Sequence, residues 1–273
     1  MQESDPTVAY SYVLKSHPRG SDSTEPIANS CNRPYRAATI DAYTNCMLCI
    51  CDGWVPVPVG EITDFDQLEQ IWDNPIAHSV QRSVDDKKFT WCAVQHCGVK
   101  QRSIIEHSYK LVLGIDDSCN LHCPSCRREL IMHSSGPLFD KKLRAVEHTV
   151  KLLEKFQPRI HITLASSGDP LASHIYRPLL HSYQAKPSQT FTLFTNGLLI
   201  KKQLDKTALQ SQITLYQISV DAGSADVYHT VRRGGVWSTL MENFEYLATQ
   251  RGSATVLLCF VVQNNNFRDM ENF

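Results

Sequence analysis

No apolar run in the sequence approaches the roughly 20 residues that a helix needs to cross a bilayer, so a membrane-spanning helix is not expected. The first residues, MQESDPTVAY, lack the basic segment and apolar stretch of a secretory leader. Excess charge of either sign is also missing: 27 Lys and Arg against 28 Asp and Glu leave a formal net charge of -1. Without a strong field, and without a basic stripe interleaved with aromatic residues, neither nucleic acid nor a membrane is an expected partner. No stretch recurs at a fixed period, which excludes solenoid and propeller arrays. The expectation from these absences is a cytoplasmic protein.

Cysteine, by contrast, is abundant, with ten in 273 residues. In a chain without an export leader, thiols in this number point to metal or redox chemistry before structural disulfides. Hydrophobic residues make up 42% and charged residues 20%, enough apolar material for a buried core. At about 150 residues per domain the length allows one large domain, or one with a smaller partner.

Three zones follow along the chain. Residues 1–30 are polar and broken by Pro6, Pro18, Gly20 and Pro26, and read as a tail or linker. Residues 31–105 carry Cys31, Cys46, Cys49, Cys51, Cys92 and Cys97. Their one clear helical signal is Phe65, Leu68, Ile71 and Trp72 after the cap residue Asp64, and the remainder reads as short and turn-rich. A segment with so little core is a natural place for a metal staple. Residues 106–273 alternate apolar strands with amphipathic stretches. Strands are expected at Lys110–Ile115, Ile160–Ala165, Thr190–Thr195, Leu215–Val220 and Ala254–Val262. Helices are expected over Lys141–Phe156, His174–Tyr183, Leu198–Leu209 and Ala225–Gln250. Such alternation marks parallel βα units, whose chemistry sits in the loops beyond the C-terminal strand ends.

The first of those loops holds Cys119, Cys123 and Cys126 in a C-x3-C-x2-C spacing. Three thiolates are one short of the four that normally hold a four-iron cluster, and one short of a closed zinc site. The incomplete set leaves a coordination position open for chemistry. Spacing alone also allows a zinc loop with His122 or a distant residue as the fourth ligand.

The loop resembles that of the radical S-adenosylmethionine enzymes, and the resemblance runs in order along residues 108–273. Ser166-Ser167-Gly168-Asp169-Pro170 is similar to the family's Gly-Gly-Glu-Pro segment. Thr195-Asn196-Gly197 matches a Thr-Asn-Gly segment, and Ser219-Val220-Asp221 a Ser-(Val/Ile/Leu)-Asp segment. Arg233-Gly234-Gly235 and Glu242-Asn243-Phe244 resemble family motifs on the next helix, and Asn264–Met270 an Asn-x-x-(Glu/Asp)-Met pattern. The resemblance implies a partial (β/α)6 TIM-like barrel, an α/β fold either truncated after the fifth strand or completed otherwise, since no sixth strand is visible. It implies a 4Fe-4S cluster on Cys119, Cys123 and Cys126. It also implies S-adenosylmethionine held by Gly168, Asp169, Asn196, Ser219 and Arg232, with Arg232 or Arg233 clamping a carboxylate. The implied activity is reductive cleavage of S-adenosylmethionine to a 5′-deoxyadenosyl radical that takes hydrogen from a substrate, with a lean toward a peptide or protein. The electron donor would be of the flavodoxin or ferredoxin kind. Ser125 departs from the family, which often carries an aromatic residue there.

Residues 31–97 resemble the SPASM or twitch domain that accompanies many such enzymes, here placed before the barrel instead of after it. Cys31-Asn32-Arg33-Pro34-Tyr35, Cys46, Val59-Gly60-Glu61-Ile62, Leu68–Trp72, Cys92 and Cys97 carry the likeness. It implies a second, auxiliary iron–sulfur cluster on Cys31, Cys46, Cys92 and Cys97, with Cys49 and Cys51 as alternates; a four-cysteine zinc site fits the same spacing. The alternative for the whole chain is a non-catalytic zinc- or cluster-binding module on a barrel remnant. Cys259, in an apolar strand, is expected to be an inert buried thiol.

Overall fold

The computed structural model describes residues 27–50, 55, 57–94, 97–165 and 168–273. The polar stretch of residues 1–26, and with it Cys51, Trp54, Ser166 and Ser167, lies outside the described residues. The chain divides into two compact units, Met1–Val112 with Lys151–Ile160, and Leu113–Val150 with His161–Phe273. The sequence placed the boundary at residue 105. The Tyr109 ring packs on Trp72 at 4.9 Å and on Phe156 at 5.2 Å, which draws residues 106–112 and 151–160 into the first unit.

The described part of the first unit opens with a single helical turn, α1 (Arg33–Arg36), then β1 (Ala37–Ile40) and β2 (Asn45–Leu48), an antiparallel pair in register Ala38↔Leu48 and Ile40↔Cys46. Asp41 closes the turn between them by accepting from the Tyr43 and Asn45 N–H groups. A two-residue strand, β3 (Gly60–Glu61), pairs with β2. β1 and β2 escaped the sequence reading because all their residues but Asn45 are buried, so no period-2 alternation marks them, and β3 is only two residues long. The helix predicted around Phe65–Trp72 is two separate 3-10 turns, Ile62–Asp64 and Leu68–Ile71, which still bury Ile62, Leu68 and Ile71. Among the described residues of 27–112, the one long helix, α2 (Pro75–Asp85), comes just after them. Asn74 caps it by accepting from the Ile76 and Ala77 N–H groups, and Pro75 costs nothing at a first-turn position.

β4 (Tyr109–Leu113) leads to the cysteine loop, and α3 (Pro137–Lys155) follows. In the second unit β5 (Ile160–Leu164), β6 (Gln189–Thr195), β7 (Ile213–Ser219) and β8 (Thr255–Cys259) lie side by side in that order. β6 pairs with β7, and β7 with β8, in parallel. This is the mixed α/β fold, with its parallel sheet, of a partial TIM-like barrel. Three helical expectations are corrected. Leu198–Leu209 shortens to α4 (Ile200–Leu204), and Ala225–Gln250 splits into α5 (Ala225–Val231) and α6 (Trp237–Gln250). The split falls where Gly234 takes φ of +90°, a value that ends a helix and that glycine reaches without strain. The stretch His174–Tyr183 holds only a wide turn, Pro178–Ser182.

The family-like motifs outside the loops act as ties within this unit. Asn243 on α6 accepts from the Lys201 N–H and donates to the Leu198 carbonyl, pinning the segment after β6. Asp269 accepts from the Gly223 and Ser224 N–H groups, and Asn266 donates to the Asp221 and Val261 carbonyls. These last bonds hold the loop after β7 to the segment after β8. Among the described residues no helix is long and apolar enough to cross a membrane.

Candidate active site

Beyond β4 the chain bends sharply, and backbone bonds set the three cysteines on that bend. The Cys119 N–H donates to the Ile131 carbonyl at 2.9 Å. The Cys126 and Arg127 N–H groups both donate to the Cys123 carbonyl, at 2.9 and 3.0 Å. Cys119 and Cys123 are buried and Cys126 is exposed. Burial pushes the Cys119 thiol up from its ordinary value, opposed by the Leu121 N–H donating to its sulfur.

A polar network underlies this bend. Lys142 on α3 places Nζ 2.7 Å from Asp117 Oδ1 and 3.8 Å from Asp116 Oδ1. His133 Nε2 lies 2.8 Å from the same Asp117 oxygen. Asp116 accepts from Ser118 Oγ at 3.1 Å and Ser173 Oγ at 2.6 Å. For Asp117, burial raises the pKa, but the Lys142 ammonium and His133 more than offset it, and the carboxyl sits below its ordinary value. Asp116, Asp117 and His133 gather three ligand-type atoms within 4.8 Å of one another. The buried Lys142 ammonium already stands beside both carboxylates, and the network supports the loop. None of it was visible in sequence, because Lys142 reads there as one more polar residue on an amphipathic helix.

The loop after β5 meets the cysteine loop backbone to backbone. A Cβ on Gly168 would stand 2.2 Å from the Ser118 carbonyl oxygen, and the Asp169 N–H donates to that same oxygen at 2.8 Å. The neighbour that requires glycine at 168 is the cysteine loop itself. The fully buried Asp169 carboxylate accepts from Thr195 Oγ1 at 2.9 Å, the Asn196 N–H at 2.7 Å and the Leu171 N–H at 2.9 Å. Burial nevertheless leaves its pKa raised, the donors opposing it only in part.

Cys119, Cys123, Cys126, Arg127, Asp169, Asn196, Ser219 and Arg232 line one cavity of about 200 Å³, with Gly168 and Phe194 on its wall. All five residues expected around the cofactor are therefore brought to the three cysteines. Arg232 sits at the end of α5, its side chain mostly buried, in an ion pair with Asp221 at 2.7 Å. Its Nε is buried with no partner among the described residues. Arg233, the other clamp candidate, offers its backbone carbonyl to the His122 N–H at 3.2 Å. Asp221 holds φ of +59° and also accepts from the Val261 N–H. Asp221 and Arg127 were not singled out as site residues in sequence, although Arg127 adjoins Cys126 and Asp221 lies two residues after Ser219.

The first unit contains a second gathering of thiols. Cys31, Cys49, Cys92 and Cys97 line one apolar pocket with Phe89 and Val99. Cys46, the expected fourth member, is absent from it. Cys46 is held mid-strand at register Ile40↔Cys46 and Cys46↔Gly60, while Cys49 follows the strand end with φ of +76°, an uncommon value for any residue but glycine. Burial pushes the Cys31 thiol up to about 11, and the Cys92 and Cys46 thiols well up too. Cys259 is half-buried at the end of β8, not fully buried as expected. His161 pairs with Thr190 Oγ1 and Thr192 Oγ1, both at 2.9 Å, in keeping with a structural role.

A model of the Radical SAM superfamily matches residues 115–273. The GTP 3',8-cyclase of Alkaliphilus metalliredigens (strain QYMF) is 27% identical over 163 residues, covering 59% of this chain and 50% of that protein. The GTP 3',8-cyclase of Petrotoga mobilis (strain DSM 10674 / SJ95) is 28% identical over 169 residues, 60% of this chain and 50% of that protein. The chain thus spans about half the length of the curated relatives it matches.

Proposed function

The chain belongs to the radical SAM superfamily, and from that premise we propose that its second unit holds a four-iron four-sulfur cluster on Cys119, Cys123 and Cys126, with S-adenosylmethionine beside it. The observation that carries the reading is the single cavity in which three thiols of one loop meet Asp169, Asn196, Ser219 and Arg232. Soft thiolates facing an enclosed space fit an iron–sulfur cluster, and three of them leave one iron open.

When bound, the pair supplies reductive cleavage of the sulfonium and hydrogen abstraction from substrate. The chain's own residues position and shield. Asp169 ties the loop after β5 to the end of β6, so that both walls keep a fixed distance from the cysteines. Asn196 and Ser219 present polar side chains to the cavity. Phe194 adds an apolar side to its wall.

The first unit is the accessory domain of this reading. Cys31, Cys49, Cys92 and Cys97 give four thiols for an auxiliary cluster, with Cys49 replacing Cys46 in the set first expected. The substrate class is a peptide or protein, and the electron donor a flavodoxin- or ferredoxin-like protein. A second reading, a nucleotide substrate, is favoured by the relatives named GTP 3',8-cyclase.

Anaerobic protein reconstituted with iron and sulfide should release 5′-deoxyadenosine from S-adenosylmethionine on reduction. Release no greater than that of a Cys119→Ala control would sink the enzymatic reading. Deuterium transfer into 5′-deoxyadenosine from labelled peptide or from labelled GTP separates the two substrate classes.

A further inference from the structure

We propose that how readily the cluster accepts an electron is set by three side-chain N–H donors, one aimed at each cysteine sulfur, with Arg232 the strongest. The proposal rests on the reading of Cys119, Cys123 and Cys126 as cluster ligands. Asn196 Nδ2 stands 3.8 Å from Cys119 Sγ. Arg232 Nη1 stands 3.9 Å from Cys123 Sγ, and Arg127 Nη2 stands 3.6 Å from Cys126 Sγ. The donors come from three separate places: the residue after β6, the end of α5 and the cysteine loop itself.

Each donor is locked by a second bond, so its direction is built in. Asn196 Nδ2 also donates to Asn120 Oδ1 at 2.8 Å, and its own Oδ1 accepts from the Leu198 N–H at 3.0 Å. Arg127 Nη1 donates to the Asp117 carbonyl at 2.8 Å. Arg232 Nη2 is held by Asp221 Oδ2 at 2.7 Å, and Asp221 is itself fixed by the Val261 N–H and the Asn266 tie. A guanidinium anchored in this way is committed to the sulfur on its other face. Arg232 is thus a positioning residue acting through Cys123, a different task from the carboxylate clamp suggested by sequence.

The physical consequence has a definite sign. Reduction adds an electron to the cluster and makes its sulfur ligands more negative. An N–H aimed at a ligand sulfur stabilises the reduced form more than the oxidised form, and so raises the potential. Charged donors act more strongly than neutral ones, and more so where water is excluded. Arg232 is a cation with its side chain only 14% exposed, beside a buried sulfur. Arg127 serves the exposed sulfur of Cys126, and Asn196 is neutral.

The test is a redox titration of anaerobically reconstituted full chain, with dithionite and mediators, followed by electron paramagnetic resonance in the absence of S-adenosylmethionine. The signal followed is the one that Cys123→Ala abolishes. If wild-type protein gives no such signal, the cluster reading fails and the donor proposal falls with it. Given the signal, the double variant Arg232→Met with Asp221→Asn removes the donor and leaves the net charge unchanged. Its cluster should be about tenfold harder to reduce, about 59 mV for one electron. Arg232→Lys, which keeps a charged donor, should recover part of that shift. A midpoint equal to wild type in the double variant, at wild-type iron content, overturns the proposal while leaving the cluster reading intact. Should the double variant hold no iron, Asn196→Ala carries the test, with a smaller shift of the same sign expected and an unmoved midpoint counting against the proposal.

Discussion

Asp169 shows what a single buried carboxylate does here. It makes no claim on the reaction, yet three donors from two loops converge on it. Asp169→Asn replaces an acceptor oxygen by an amide that faces N–H and O–H groups with donors of its own. The loss should be about 1–3 kcal/mol in a urea titration, the cost of unsatisfied buried polar groups. Iron retention on a desalting column should fall with it. The position was legible in sequence because it matched an acidic residue in a family-like segment, but its partners were not. They lie 26 and 27 residues away and meet only when β5 and β6 lie side by side. Cys46 stands outside the thiol pocket for a related reason. Counting cysteines along the chain ignores which end of a strand each occupies, and the pocket collects Cys49 from beyond β2 instead. Glu106 is the residue whose titration should be visible. Burial raises its pKa, but the Lys110 ammonium at 2.7 Å and Arg33 at 3.0 Å outweigh this, and the carboxyl stays below its usual range. A depressed carboxylate stabilises the fold above its ordinary pKa, and that stability is lost as pH falls through the lowered value. Acid unfolding of wild type should therefore be steeper than that of Glu106→Gln, and the variant should be the less stable of the two at pH 7.

Among the elements, those with a continuous apolar run or a clean helical stripe were readable. β5, β6, β7 and β8 fall within a few residues of their expected bounds. α3 does so as well, because Ala145, Val146, Leu152 and Leu153 all face inward. Residues 27–85 were opaque for the opposite reason: β1, β2 and β3 have four residues or fewer, and α2 opens on an Asn-Pro pair that also reads as a turn. That pair is the cap. Asn74→Ala removes the acceptor for the Ile76 and Ala77 N–H groups and should cost about 1 kcal/mol in thermal or urea unfolding, within the usual range for a lost N-cap. Asn74→Asp should retain most of the stability, since aspartate caps equally well.

At the scale of the molecule, the unexpected feature is β8. Its sequence, nearly all apolar, suggests a strand buried on both faces, yet Leu257 is 47% and Leu258 39% exposed. Val261, Val262, Phe267, Met270 and Phe273 add to an apolar surface in the same part of the chain. Among the described residues no strand pairs with the free side of β8. An uncovered apolar edge of this kind templates pairing with another chain. This chain on its own should self-associate in light scattering at micromolar concentration. Leu258→Lys, which places a charge on the edge, should reduce the apparent mass without altering the circular dichroism. Sequence alone could not anticipate the exposure, because hydrophobicity says what a strand would bury and not what is present to cover it.

The unequal burial of the three thiols on the bend has a practical corollary. Cys126 is exposed whereas Cys119 and Cys123 are covered. In metal-free protein a bulky alkylating reagent should mark position 126 first and the other two only after the loop opens. Once a cubane is seated, all three sulfurs should be shielded together. Peptide mapping of the alkylated residue would then serve as a footprint of occupancy, reading site by site what bulk iron content averages over the whole chain.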